Sequence, residues 1–294
     1  LDTRFLRSLI AVVETGSIAG AARREKLTPA AISQRIQALE LSLNCSLLSR
    51  GAHSVRPTET CLALLPRARL ILREADRLGD DIAGGELAGE LRIGAISTVL
   101  TGLLPSAIRE TARLAPQLKL RLVPGASHFL YEQLLAGELD MAILVEPPFA
   151  LPKSLVGHVL RQEPLLYLTQ ADVSGAEIAR HIADTPFIRY DPTSWGGRLV
   201  ARYLEASKLS PDIVCDLDAL ETIAILVSQG LGNALVPSWP GLSADGLTIV
   251  PVPAGEDYVR KIVLLHAAVP ARPQAVLLMR DVLAGGGKGS FGSA

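Results

Sequence analysis

Cysteine is scarce. Cys45, Cys61 and Cys215 are the only three in 294 residues, odd in number, far apart and without a C-x-x-C pair. That excludes a disulfide framework and a thiolate metal cage, and leaves buried or incidental thiols. The five histidines, His53, His128, His158, His181 and His266, share no metal-ligand spacing with each other or with the cysteines, so no metal site is expected. No apolar run approaches the roughly 20 residues needed to cross a bilayer. No charged n-region with an apolar h-region stands at the start of the sequence; the expectation is a cytoplasmic chain with no membrane partner. Catalytic signatures are missing as well: there is no G-x-S-x-G, no dinucleotide fingerprint and no clustered acid–base set. The Gly-rich tail GGGKGSFGSA is not a phosphate loop, because Gly289 follows Lys288 where Ser or Thr is required. The reading is therefore no enzyme, no catalytic residues and no cofactor.

Hydrophobic residues make up 49% of the sequence and charged residues 20%, with a net charge of −1. This is the composition of a soluble globular protein, and the length suggests about two domains. The balanced total hides a local bias. Over residues 1–60 eight basic side chains, Arg35, Arg50 and Arg56 among them, face five acidic ones, which leaves +3.

The first sixty residues carry helical periodicity. Phe5, Leu6, Leu9, Ile10, Val12 and Val13 form one apolar stripe that stops at Gly16. Ser17 can cap a second helix with Ile18, Ala21 and Ala22 inward, the alanine pair allowing close approach of neighbours. Thr28 is an N-cap with Pro29 at the first helical position. In the helix that follows, Ile32, Ile36, Leu39 and Leu43 share one side, whereas Pro29, Ala30, Ser33, Gln34 and Arg35 lie on the other. The tight join between the second and third helices is a helix-turn-helix pattern. Next, CSLLSRGAHSVRPTE predicts a short two-stranded wing before Thr58 caps another helix. Along that helix Leu64, Ala68, Ile71, Ala75, Leu78 and Ile82 recur at alternating spacings of four and three, the seam of a coiled coil. They read as a dimerisation element, with a bend expected at Pro66. GGELAG, Gly84 to Gly89, ends it as a hinge-like linker.

From residue 90 short strands alternate with helices. LRIGAI, LKLRLV, DMAILV, PLLYLT, PFIRYD, DIVCDLD, NALVPS and KIVLLHA read as strands, which predicts mainly parallel sheets covered by helices. Ligands in such folds sit beyond the carboxyl ends of strands. Ser97, Thr98, Ser127, Val145, Asp191, Thr193 and Ser194 stand at those positions and suit a small polar molecule, often one with a carboxylate. His128 reads as solvated or packed, with the cleft as its alternative. Glu146 and Asp191 near the proposed mouth would repel a simple anion, whereas an amino acid carries both signs.

This order of elements resembles the LysR-type transcriptional regulators. The resemblance rests on FLRSLIAVVETGSIAGAARREKLTPAAISQRIQALELSLNCSLLSR, on VRPTE, and on LRIGAIST, LAGELDMAIL and LETIAILVSQGLGNALVPS, and it spans about residues 3 to 283. LLSR replaces the usual LFxR, and TETC replaces TEAG, which sets Cys61 in the turn into the linker helix. The fold implied is α+β overall: an all-α winged helix-turn-helix with a long coiled-coil linker helix, then a two-lobed α/β domain like the type II periplasmic binding proteins. The expected divisions are a DNA-binding domain at 1–58, a linker helix at 59–83, a hinge at 84–90 and an effector domain at 91–284. Lobe one takes 91–161 and 267–284, lobe two takes 162–266, and 285–294 is expected to be disordered.

The resemblance implies a regulator of transcription that binds double-stranded promoter DNA and answers to a small-molecule effector, a small carboxylate or an amino acid. The ISQRI run also occurs in family members that sense basic amino acids. It implies a homodimer or homotetramer, and allows RNA polymerase as a further partner. Thr28, Pro29, Ala30, Ser33, Gln34 and Arg35 are the expected DNA-reading residues. The small residues let the helix approach base edges, Arg suits guanine and Gln suits adenine. Arg50 and Arg56 in the wing are expected on the phosphate backbone.

Overall fold

The computed structural model describes residues 2–50, 55–83, 87–253 and 255–286. The chain divides into two compact units, chiefly at Gly85/Glu86.

The first unit opens with α1 (Thr3–Thr15), α2 (Ile18–Glu25) and α3 (Pro29–Leu43). Their starts follow the sequence signals. The Ser17 hydroxyl accepts from the Gly20 N–H at 3.0 Å, and the Thr28 hydroxyl accepts from the Ala31 N–H at 3.2 Å, each satisfying a donor that the first turn leaves without a partner. Leu6, Leu9, Val12, Ala21, Ala22, Ile32, Ile36 and Leu39 are buried together as the core. Strands β1 (Leu48–Arg50) and β2 (Val55–Pro57) pair antiparallel as the expected wing.

Helix α4 runs Glu59–Ala83 with Pro66 inside it. Its placement takes Ala68, and Leu64 in part, out of the expected coiled-coil seam. Cys61, Leu65, Ala68 and Leu72, again at spacings of four, three and four, belong to the core of the head itself. Ala68 is 1% exposed, and Leu64 packs partly against the same core. The reason is size: three short helices bury too little apolar surface, so the start of α4 roofs them. Leu62, Leu70 and Ile71 are the large apolar side chains this stretch leaves exposed. Ala75 is half-buried. The side chains of Leu78 and Ile82 lie outside the described residues, as do residues 84–86 of the expected hinge and 287–294 of the expected tail.

The second unit begins with β3 (Gly89–Ala95), α5 (Ser97–Gly102), α6 (Leu104–Leu114), β4 (Leu118–Pro124), α7 (Ser127–Leu135) and β5 (Met141–Val145). A long strand, β6 (Leu155–Thr169), then carries the chain into the other lobe. There α8 (Ile178–Asp184), β7 (Pro186–Tyr190), α9 (Gly197–Ala206), β8 (Asp212–Leu217), α10 (Leu220–Ser228), β9 (Ala234–Pro237) and β10 (Thr248–Pro251) follow. Strand β11 (Val259–Ala267) returns, and α11 (Pro273–Gly286) closes the unit.

The expectation of mainly parallel sheets holds for the βα units: β3 pairs parallel with β4 and β5, and β7 with β8. It fails where the lobes join. β6 pairs antiparallel with β11, β9 and β10, and β11 antiparallel with β5. Two strands that travel between lobes in opposite directions must pair that way. The lobe boundary shifts for the same reason. Ile262–His266, expected in lobe two, pair with Val145–Met141, and Ile262, Val263, Leu264 and Leu265 are buried in the lobe-one core. The lobe-two core is separate and centres on Tyr167, Phe187, Ile188, Val200, Ile223 and Leu235.

Candidate functional site

In the head, Thr28, Pro29, Ala30 and Gln34 are exposed at the start of α3, Ser33 is half-buried and Arg56 is exposed on the wing. The Arg50 side chain lies outside the described residues. Arg35 behaves differently from its neighbours. Its Nη1 donates to Glu25 Oε2 and to Ser8 Oγ, each at 3.2 Å, while the Ser8 hydroxyl donates to the same Glu25 oxygen at 2.8 Å. Ser8 is fully buried, and the Glu25 side chain is 10% exposed. The triad ties α1, α2 and α3 together, so Arg35, expected to read a base, is engaged in an internal tie in the free head. Arg35→Ala is expected to lower the stability of the full chain by about 1–3 kcal/mol, because it strands a nearly buried carboxylate. Thermal unfolding followed by circular dichroism checks this. An unchanged melt with loss of sequence-specific binding would return Arg35 to the reading face.

In the second unit a cavity of about 480 Å³ opens between the two lobes, within the usual size of small-molecule sites. All seven residues expected from strand ends line it: Ser97, Thr98, Ser127, Val145, Asp191, Thr193 and Ser194. His128 lines it too and is exposed, as the solvated reading expects. Glu146 does not; it is exposed and pairs with Lys261 at 3.4 Å.

Each polar group has a defined role. The Thr98 hydroxyl accepts from Arg260 Nη2 at 3.3 Å, and the Ser127 hydroxyl accepts from the Val145 N–H at 3.2 Å. Both keep a proton to donate. Asp191 Oδ1 accepts from the N–H and the hydroxyl of Thr193, both at 2.8 Å. Ser194 donates to the Asp191 carbonyl at 2.9 Å and accepts from the Gly197 N–H at 3.0 Å, which fixes the start of α9. A glycine is needed there, since a β-carbon on Gly197 would sit 1.9 Å from the Asp191 carbonyl oxygen.

Sequence reasoning missed the cavity's most polar element. Arg260, 2% exposed, lines it beside Tyr190, Trp195 and Asp218. Its guanidinium is paired with Glu163, also 2% exposed, through Nε at 2.7 Å and Nη2 at 2.6 Å. The two stand opposite each other on β11 and β6. Burial pushes the Glu163 carboxyl up, and Arg260 pulls it back down. Burial also pushes the Tyr190 phenol up; Arg260 opposes this and Asp218 adds to it, so the hydroxyl stays neutral. The available signal was an Arg inside VRKIVLLHA and a Glu just before PLLYLT, two charges in otherwise apolar strands.

Two contacts join the lobes around the cavity. Glu221, in the first turn of α10, accepts from Ser97 Oγ at 3.1 Å and Thr101 Oγ1 at 3.2 Å on α5. Trp195, from lobe two, meets Tyr131 and Phe149 of lobe one edge-on, with ring centroids 5.8 and 5.6 Å away.

A winged helix-turn-helix head followed by a two-lobed domain with a polar interlobe cavity defines a class, the ligand-responsive DNA-binding regulators. Residues 3–62 match the family described as bacterial regulatory helix-turn-helix protein, lysR family, and residues 84–287 match the LysR substrate binding domain. The chain belongs to the LysR family: it is a DNA-binding transcriptional regulator with an effector-binding domain. It is 31% identical to the HTH-type transcriptional regulator TtuA of Agrobacterium vitis, over 91% of each protein. It is 32% identical to the HTH-type transcriptional regulator IlvR of Caulobacter vibrioides, over 81% of this chain and 83% of that one. Among solved structures, a full-length OxyR variant from Pseudomonas aeruginosa shares the fold with a TM-score of 0.70 at 24% identity, covering 96% of this chain and 94% of its own. CbnR in complex with its target DNA does so with a TM-score of 0.69 at 21% identity, covering 97% of this chain and all of its own.

Proposed function

We propose that this regulator works in the cytoplasm as a homodimer or homotetramer, binding promoter DNA through the start of α3 and holding a small effector in the interlobe cavity. The observation that carries this reading is the cavity itself: hydroxyls, carboxylates and a buried guanidinium line the space between two lobes that share strands β6 and β11. Pro29, Ala30, Ser33 and Gln34 approach the bases, and Thr28 at the helix N-terminus, Arg50 and Arg56 the phosphates. The exposed apolar side chains of α4, Leu62, Leu70 and Ile71, offer a surface to a second copy. Effector binding changes how the lobes pack, and with it the spacing of paired heads on DNA, with RNA polymerase as the downstream partner. This role is regulatory, not enzymatic.

Gel-shift on DNA fragments selected by the full-length protein tests the DNA arm. With about six phosphate contacts, affinity is expected to fall roughly a thousandfold between 50 and 200 mM salt. A flat salt response would remove the proposed phosphate contacts.

A further inference from the structure

The cavity wall carries charge of both signs, the guanidinium of Arg260 among them. Its positive charge is answered from behind by Glu163, whose other oxygen lies 3.9 Å from Arg161. Its Nη1 group makes, among the described residues, only a 3.5 Å contact to the Tyr190 hydroxyl, at the outer limit of a hydrogen bond. Thr98, bonded to Nη2 of the same guanidinium, has a hydroxyl proton to give. This pair offers donors and has no acceptor to spare.

The lining also holds Asp191 and Asp218. One oxygen of Asp191 is taken by Thr193. Asp218 is exposed and makes no hydrogen bond or ion pair among the described residues. The Tyr190 hydroxyl is in contact with Arg260 and within the field of Asp218. Ile96, Leu100, Leu220 and Trp195 supply apolar wall around them.

A simple anion gains little from a guanidinium already neutralised by Glu163, and meets two carboxylates. A simple amine would bring no acceptor for the Arg260 and Thr98 donors. A molecule with both charges close together answers both signs and brings no net charge.

We propose that the effector is a small zwitterion of the α-amino acid class, its carboxylate held by Arg260 and Thr98, its ammonium by Asp218 and Asp191, and its side chain against the Leu100–Trp195 wall. This rests on the reading of the cavity as the effector site and narrows it. Each pole then makes charge-assisted hydrogen bonds, the stronger kind.

The test is isothermal titration of the full-length protein with the standard L-amino acids and, for each that binds, the 2-oxo acid with the same side chain and carboxylate but no ammonium. At least one amino acid is expected to bind, with its 2-oxo acid weaker by about tenfold or more, the share one charge-assisted contact supplies. Asp218→Asn is the second arm. Its side chain is exposed, so the fold should tolerate the change; it is expected to weaken the amino acid about tenfold and, by removing a repelling carboxylate, to leave any 2-oxo acid binding no weaker than before. Equal binding of both partners overturns the zwitterion while the effector cavity stands. Amino acid binding indifferent to Asp218→Asn overturns it too, by putting the ligand elsewhere. If neither panel binds, the zwitterion falls; Trp195 fluorescence screened against wider carboxylate and amine sets then decides whether the cavity reading falls with it.

Discussion

Replacing Arg260 by alanine is expected to cost the effector domain about 3–5 kcal/mol, the penalty for leaving a buried carboxylate without its counterion. Glu163 is 2% exposed, with both its short contacts to Arg260 on one oxygen, and Arg161 at 3.9 Å is too far to replace them. Urea unfolding followed by Trp fluorescence reads the loss, since Trp195 and Trp239 both belong to this unit. Protonation of Glu163 offers partial relief, and its carboxyl is already pushed upward by burial. The deficit of Arg260→Ala should therefore shrink as pH falls, because the unpaired carboxylate takes up a proton more readily in the folded variant than in its unfolded chain. The double replacement Arg260→Met with Glu163→Leu should recover most of the stability, since an apolar pair carries no desolvation cost. Wild-type stability in Arg260→Ala would mean that Glu163 is solvated in solution.

The second large effect concerns DNA. Ala30→Glu is expected to reduce promoter affinity by about a hundredfold or more, through repulsion from phosphate and the bulk added where the helix must approach base edges. Ala30 is exposed in the first turn of α3. A glutamate there is favoured by the helix dipole, so the head should not be destabilised. Loss of binding with an unchanged circular dichroism spectrum would then report the interface and not the fold. Retained affinity would remove the start of α3 from the DNA surface. Arg35→Ala provides the contrast: its first effect is expected on the melt, through Glu25 and Ser8.

The difference between those two residues shows where sequence reasoning reaches its limit. Ile32, Ile36 and Leu39 were legible because helical spacing alone puts them on one face, and all three are buried. Thr28 and Pro29 were legible because cap chemistry is local. Arg35 was not, since its partners come from two other helices, 27 and 10 residues away. The same holds in the effector domain. Strand ends and their hydroxyls follow from local pattern, and every one of the seven lines the cavity. The Arg260–Glu163 pair depends on the register of two strands separated by 97 positions, which no local signal encodes. β10 was overlooked because four residues at the sheet's edge, Thr248–Pro251, carry no clear alternation. The α4 seam misled for a related reason. Two overlapping stripes, one through Ala68 and Ile71 and one through Leu65, Ala68 and Leu72, fit the same spacing, and only the presence of the three-helix head decides which of them Ala68 serves.

The pairing of β6 with β11 has one more outcome. Val259–Ala267 lies along Pro164–Leu155 almost end to end, with one shift in register at Ile262/Val263. β6 supplies Leu155 to one hydrophobic core and Leu165, Tyr167 and Leu168 to the other. β11 supplies Ile262 to Leu265 to the first core and Arg260 to the cavity. Neither half is therefore separable: a truncated gene product ending before Val259 would lose a central strand of the lobe-one sheet and the guanidinium opposite Glu163 at one stroke.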